Sequence, residues 1–154
     1  MSEQASDLTS EEQALIAAAR GAMAHAHAPY SRFAVGAALR LTDGTILTGA
    51  NFENASYGLS LCAETVAIAA ANAQGRLRDI AAIAVAGGAM DVADGRDVIT
   101  PCGRCRQVIK EAQDMGGRAL TILCAAPSGE AVARHRLDDL LPHAFGPGNL
   151  GIGG

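Results

Sequence analysis

Two short segments, Cys62-Ala63-Glu64 and Pro101-Cys102-Gly103-Arg104-Cys105, hold three of the four cysteines of this 154-residue chain. If those thiols are to share one ligand, the fold must join segments some forty residues apart. Cys102 and Cys105 are one helical turn apart, so both can point the same way from the start of a helix. Cys62 also stands where a helix should begin. Zinc takes thiolate ligands, is four-coordinate, and in catalytic sites keeps one position for water. No fourth ligand lies nearby. Cys124 falls in an expected buried strand, where it reads as a small hydrophobe. His25, His27, His135 and His143 are remote from both segments. Three ligands and an open position fit catalytic zinc better than structural zinc.

Divalent zinc with three thiolates carries a net negative charge, which weakens it as a Lewis acid. Two helix N-termini facing the metal would offset that, each supplying roughly half a positive charge. Arg104 and Arg106 could add hydrogen bonds to sulfur. Glu64, two residues after a ligand, is placed to take a proton from bound water and pass it on. Alone it would be an ordinary acid in a helix's first turn. The competing reading of Cys-x-x-Cys is a dithiol redox pair, disfavoured by Pro101 and by the distant third cysteine. A non-catalytic zinc module is the other alternative, and an intact Glu64 speaks against it.

Around these segments the chain reads as alternating helices and strands. Thr9 with Glu12, or Ser10 with Gln13, offers a capping box for a helix over 11–24 with Leu15, Ile16, Ala19 and Met23 inward. Runs over 33–41 and 45–51, split by Asp43-Gly44, predict a hairpin. Helices are expected over 62–73 and 102–113, and buried strands over 80–86 and 119–125. An edge strand over 131–135 and a helical turn over 137–141 follow. The order predicts an α/β fold, a three-layer α/β/α sandwich around a mixed five-stranded sheet. One domain is expected over 1–154, with 1–9 and 148–154 as flexible ends.

Hydrophobic residues make up 49% of the chain and aromatics only 3%, so the core must be built from Ala, Val, Leu and Ile. A net charge of -4 is the wrong sign for a phosphate backbone, so nucleic acid is not an expected partner. No apolar run approaches the roughly 18 residues that span a bilayer, so no membrane partner is expected. Residues 1–10 lack a signal-peptide pattern. A cytoplasmic location, where thiols stay reduced, is expected.

The Cys-Ala-Glu and Pro-Cys-Gly-x-Cys pair resembles the small zinc-dependent cytidine deaminase family, whose wider class uses a non-ligand Glu as acid and base. Three further segments carry the resemblance: 29–38 (PYSRFAVGAA), 51–59 (NFENASYGL) and 140–147 (LLPHAFGP). All five aromatic residues lie in them. The resemblance implies hydrolytic deamination of cytidine and 2′-deoxycytidine at C4, in pyrimidine salvage, with one zinc per subunit held by Cys62, Cys102 and Cys105. Glu64 would be the catalytic acid and base. The Ala63 N–H would hold the base O2, and the Thr100 carbonyl would accept from the amino group. Asn51 and Glu53 would bind the ribose 3′-hydroxyl and Phe33 would stack near the base. Family members of this length are homotetramers, and Tyr57 and Phe145 match positions that reach across their interfaces.

Many three-cysteine members carry Arg after the catalytic Glu, bonded to the thiolates, whereas this chain has Thr65. Arg104 is the expected source of thiolate charge compensation, so Arg104→Gln should cost more than Thr65→Ala. Blasticidin-S-type deaminases resemble the pattern too, with a non-Arg residue after Glu and Cys-Gly-Arg-Cys-Arg-Gln. Asn51, Glu53 and the Phe-Gly-Pro segment favour an ordinary nucleoside substrate.

Overall fold

In the computed structural model the described residues are 2–3 and 7–153. The ends expected to be flexible, 1–9 and 148–154, fall partly on residues 1, 4–6 and 154, which lie outside them. Helix α1, Ser10–Ala22, starts at the capping box in the Thr9 register. The Thr9 hydroxyl accepts from the Glu12 N–H at 3.2 Å, and the Glu12 carboxylate accepts from the Thr9 N–H at 3.0 Å. Glu12 also pairs with Arg134 at 2.7 Å, which fixes the helix start to the sheet. Leu15, Ile16, Ala19 and Ala22 form the buried stripe, and Met23 begins a short 3-10 turn that ends at His25.

Strands β2 (Phe33–Leu41) and β3 (Ile46–Ala50) form the expected hairpin, with Asp43 accepting from the Thr45 N–H and Gly44 at φ 89°. Helix α2 (Ala63–Ala73), β4 (Ile80–Ala89), α3 (Gly103–Gly116), β5 (Thr121–Ala125), β6 (Val132–Arg136) and α4 (Leu137–Leu140) follow. Among the described strands only β4 and β5 pair in parallel, so the sheet is mixed. The five expected strands run β6-β5-β4-β2-β3, and a two-residue strand β1, Ser2–Glu3, pairs with β6. The segment expected as an edge strand is therefore covered on both sides. Near the C-terminus, Pro147–Leu150 forms a 3-10 turn with Pro147 buried.

Period-two alternation sorts the core. Leu39, Leu41, Ile83, Val85 and Ile122 face α2 and α3, while Ala38, Ala82, Ala84 and Ala86 face α1. The small-residue face lets α1 lie close. With α1 on one side and α2 and α3 on the other, the three layers are as expected. The loop between β4 and α3 then delivers Cys102 beside the start of α2.

Candidate active site

Cys62 and Cys102 are N-cap residues in extended backbone, at ψ 155° and 166°, with the first helical turns of α2 and α3 immediately beyond. A cap side chain usually accepts from the N–H groups of that turn, but neither cysteine does so. Both sulfurs thus stay available to a ligand while two helix dipoles converge on them. Cys105, one turn into α3, is fully buried beneath the pair.

The three sulfurs lie within 4.8 Å of one another, with Cys62 and Cys102 at 3.8 Å. Tetrahedral zinc with bonds of about 2.3 Å separates its sulfur ligands by about 3.8 Å. The donor set and spacing fit one zinc ion. Cys62 is shifted toward the thiolate, first by the hydrogen bond from Cys105, then by one from Cys102 and by the charge of Arg104. Cys105 is shifted the other way, because it donates that bond, because it is buried and because Glu64 is close. Three thiolates this near each other therefore require a cation. Cys124 lies outside the cluster, and burial pushes its thiol up to about 12. No histidine joins the cluster among the described residues.

Glu64 is only 4% exposed, and its Oε2 lies 3.4 Å from Cys105 Sγ. Burial pushes its carboxyl above the ordinary range, the direction that suits a group that must take up a proton as well as give one up. Glu64 opens into a cavity of about 230 Å³ that is also lined by Cys62, Cys102, Ala63, Thr100, Asn51 and Glu53. Val35, Leu61 and Ile99 supply apolar wall. Seven expected residues are thus gathered around one space, with Cys105 behind them.

Elsewhere in the lining, Glu53 Oε1 accepts from the Tyr30 and Ser31 N–H groups at 3.0 and 3.1 Å. The Ser31 side chain, more than any other group, holds the Glu53 carboxyl below its usual range. Asn51 Oδ1 accepts from the Val35 N–H and Asn51 Nδ2 donates to the Phe33 carbonyl, both at 2.9 Å. The Asn51 amide is clamped to β2, with one Nδ2 proton still free to donate.

Four expected residues lie outside that lining. Phe33 lines a neighbouring cavity of about 250 Å³, which shares the Ile99 wall. Tyr57, 74% exposed, stands edge-on to Tyr30 at 5.5 Å. Phe145 is 60% exposed. Arg104 makes no hydrogen bond to sulfur, because its Nη1 donates to the Ser60 carbonyl at 3.3 Å. The side chain beside a ligand sulfur is instead Thr65, with Oγ1 3.7 Å from Cys105. Arg106 likewise avoids the sulfurs and reaches back to the chain before Cys102. Two arginines in α3's first turn oppose the helix dipole, and that was the available sign that each serves an acceptor elsewhere.

An α/β/α sandwich with three thiolates at two helix starts and a buried glutamate beside them defines a zinc-dependent hydrolase site. The family profile described as "Cytidine and deoxycytidylate deaminase zinc-binding region" matches residues 9–116. The chain belongs to that deaminase family. It is 46% identical over 130 residues to a Mycobacterium tuberculosis (strain ATCC 25618 / H37Rv) cytidine deaminase, covering 84% of this chain and 85% of the relative. A Halalkalibacterium halodurans cytidine deaminase is 52% identical over 101 residues, covering 66% and 71%. The crystal structure of cytidine deaminase from Burkholderia pseudomallei superposes with a TM-score of 0.73 at 44% identity, over 90% of this chain and 100% of that one.

Proposed function

We propose that the chain deaminates cytidine and 2′-deoxycytidine hydrolytically, with water consumed and uridine or 2′-deoxyuridine and ammonia released. The observation that carries this is one cavity lined at once by a buried Glu64, by Cys62 and Cys102, and by Asn51 and Glu53. At about 230 Å³ it is below the roughly 300–1,000 Å³ of drug-sized pockets, which suits a single nucleoside. Cys62, Cys102 and Cys105 would hold one zinc, which supplies water activation when bound. Glu64 moves one proton of the water to the base N3 and the second, from the new C4 hydroxyl, to the departing amino group. The Ala63 N–H donates to O2, and the Thr100 carbonyl accepts a hydrogen bond from the amino group. Glu53, held ionised and anchored through one oxygen, offers the other to a ribose hydroxyl, with the free Asn51 proton beside it. Phe33 flanks the base from the adjoining cavity.

The chain acts as one domain over 1–154 and assembles as a homotetramer. Exposed Tyr57, Leu59, Phe145 and Leu150 support this, since each is a large apolar side chain that a second copy would take out of water. Tyr57 and Phe145 would then complete a neighbour's pocket. Its place is pyrimidine salvage in the cytoplasm, a compartment that keeps thiols reduced and so available to a metal. Among the described residues no helix is long and apolar enough to cross a membrane.

The test combines zinc quantification, sedimentation, and ammonia release from cytidine, deoxycytidine, free cytosine and blasticidin S. One zinc per chain with turnover of both nucleosides and little of the free base is expected. Metal-free protein as isolated, or preference for a substrate without ribose, overturns the reading.

The contact between Thr65 and Cys105 puts a second group beside a ligand sulfur, while Arg104 acts on Cys62 through its charge and not through a hydrogen bond. A hydroxyl donating to a ligand sulfur is a supporting contact of the kind worth about 10–100-fold in metal affinity. Thr65→Val is expected to weaken zinc about tenfold, and Arg104→Gln less than threefold. Competition with a colorimetric chelator measures both. Weaker zinc in the Arg104 variant would restore the arginine as the compensating group.

A further inference from the structure

We propose that Arg106 is a positioning residue that ties the pocket rim and the C-terminal segment to the helix carrying two zinc ligands; this rests on the deaminase reading. Its guanidinium reaches three acceptors from one plane. Nε donates to the Pro101 carbonyl at 2.8 Å, Nη1 to the Leu140 carbonyl at 2.8 Å, and Nη2 to the Thr100 hydroxyl at 3.2 Å. Its own N–H donates to the Cys102 carbonyl at 2.9 Å. The residue after one ligand thus holds the backbone on both sides of the other ligand. Pro101 is fully buried and Thr100 lines the cavity, so the chain entering Cys102 is fixed against α3.

The third contact extends the clasp. Leu140 ends α4, where helix carbonyls lack internal partners, and Arg106 satisfies one of them. The next residue repeats the pattern, with Gln107 Nε2 donating to the Phe145 carbonyl at 2.9 Å. The first turn of α3 therefore holds the cysteines toward the cavity and the 140–145 segment by adjacent side chains. Lysine has one nitrogen and could not span three separated acceptors. A shift of about 1 Å in a substrate-positioning group can cost up to 10²-fold. The rim is such a group, whereas the cysteines keep their own bonds to the metal.

Arg106→Gln and Arg106→Lys should both keep one zinc per chain and show a KM for cytidine raised about tenfold, with kcat changed less than about threefold. Amide exchange over 97–102 and 137–143 should accelerate about tenfold in both. Unchanged KM, a rise that only follows zinc loss, or full rescue by lysine overturns the proposal. If neither variant folds, Thr100→Val removes the 3.2 Å contact alone, and an unchanged KM there is equally fatal. Wild-type protein that leaves cytidine untouched defeats the deaminase reading instead. Exchange rates then decide the clasp by themselves, and equal rates in wild type and variants refute it.

Discussion

Glu64→Gln lowers kcat/KM for cytidine by about 10²–10⁴-fold, the range for a positioned general acid and base, while zinc content stays at one per chain. The amide preserves shape and can still meet Cys105 at the 3.4 Å position, but it cannot carry a proton. The site is closed enough that water does not substitute for it, since Glu64 is buried and its carboxyl is pushed upward by that burial. Removing a buried ionisable group also relieves a desolvation cost, so the variant should melt no lower than wild type. Three readings separate the explanations: initial rate, zinc per chain, and melting temperature. Activity above a tenth of wild type would remove Glu64 from the proton path. Activity lost together with zinc would make it a structural support of the cluster.

The site was legible in the sequence because its signals are local. Cys102 and Cys105 share a helix face by spacing alone, and the Cys62-Ala63-Glu64 order survives any tertiary arrangement. The hairpin and the cap of α1 were legible for the same reason, with Asp43-Gly44 and Thr9-Glu12 each closing its own hydrogen bonds. What could not be read depended on direction and distance. Arg104 is adjacent to a ligand in sequence and Thr65 is three residues from one, yet it is Thr65 whose hydroxyl meets a sulfur. Asn51 was expected to serve a substrate, and most of its amide serves β2. The strand over β6 was expected at an edge because nothing in residues 2–3 announces a strand, and pairing with Ala133 and Val132 is a long-range outcome. Exposure of Tyr57 and Phe145 on one chain is likewise invisible to periodicity, because both are apolar residues whose cover lies off the chain in the proposed tetramer.

Two glycines carry information of that long-range kind and yield the second large effect. On the α1 face, a Cβ at Gly36 would lie 2.0 Å from the Ala19 carbonyl oxygen and 2.8 Å from the Met23 nitrogen. On the α2 face, a Cβ at Gly49 would lie 2.6 Å from both the Ala63 carbonyl oxygen and the Ala67 nitrogen. Neither neighbour is a flexible side chain, so a helix must move in each case. Overpacking of this kind typically costs about 1–3 kcal/mol, and both Gly36→Ala and Gly49→Ala should melt several degrees lower, about 2–4 °C per kcal/mol at this size. Their effects on function should diverge. Gly49 supports the first turn of α2, where Ala63 lies between a zinc ligand and Glu64, so its displacement misplaces the reacting groups. Gly36 seats α1, on the opposite side of the sheet from the cluster. Per folded molecule, Gly49→Ala is expected to lose at least about tenfold in kcat/KM, and Gly36→Ala to stay within about twofold. Activity normalised to the folded fraction, measured below both melting transitions, makes the comparison. Equal normalised activities would mean that α2 absorbs the shift without moving Glu64, and that the close seat at Gly49 serves packing alone.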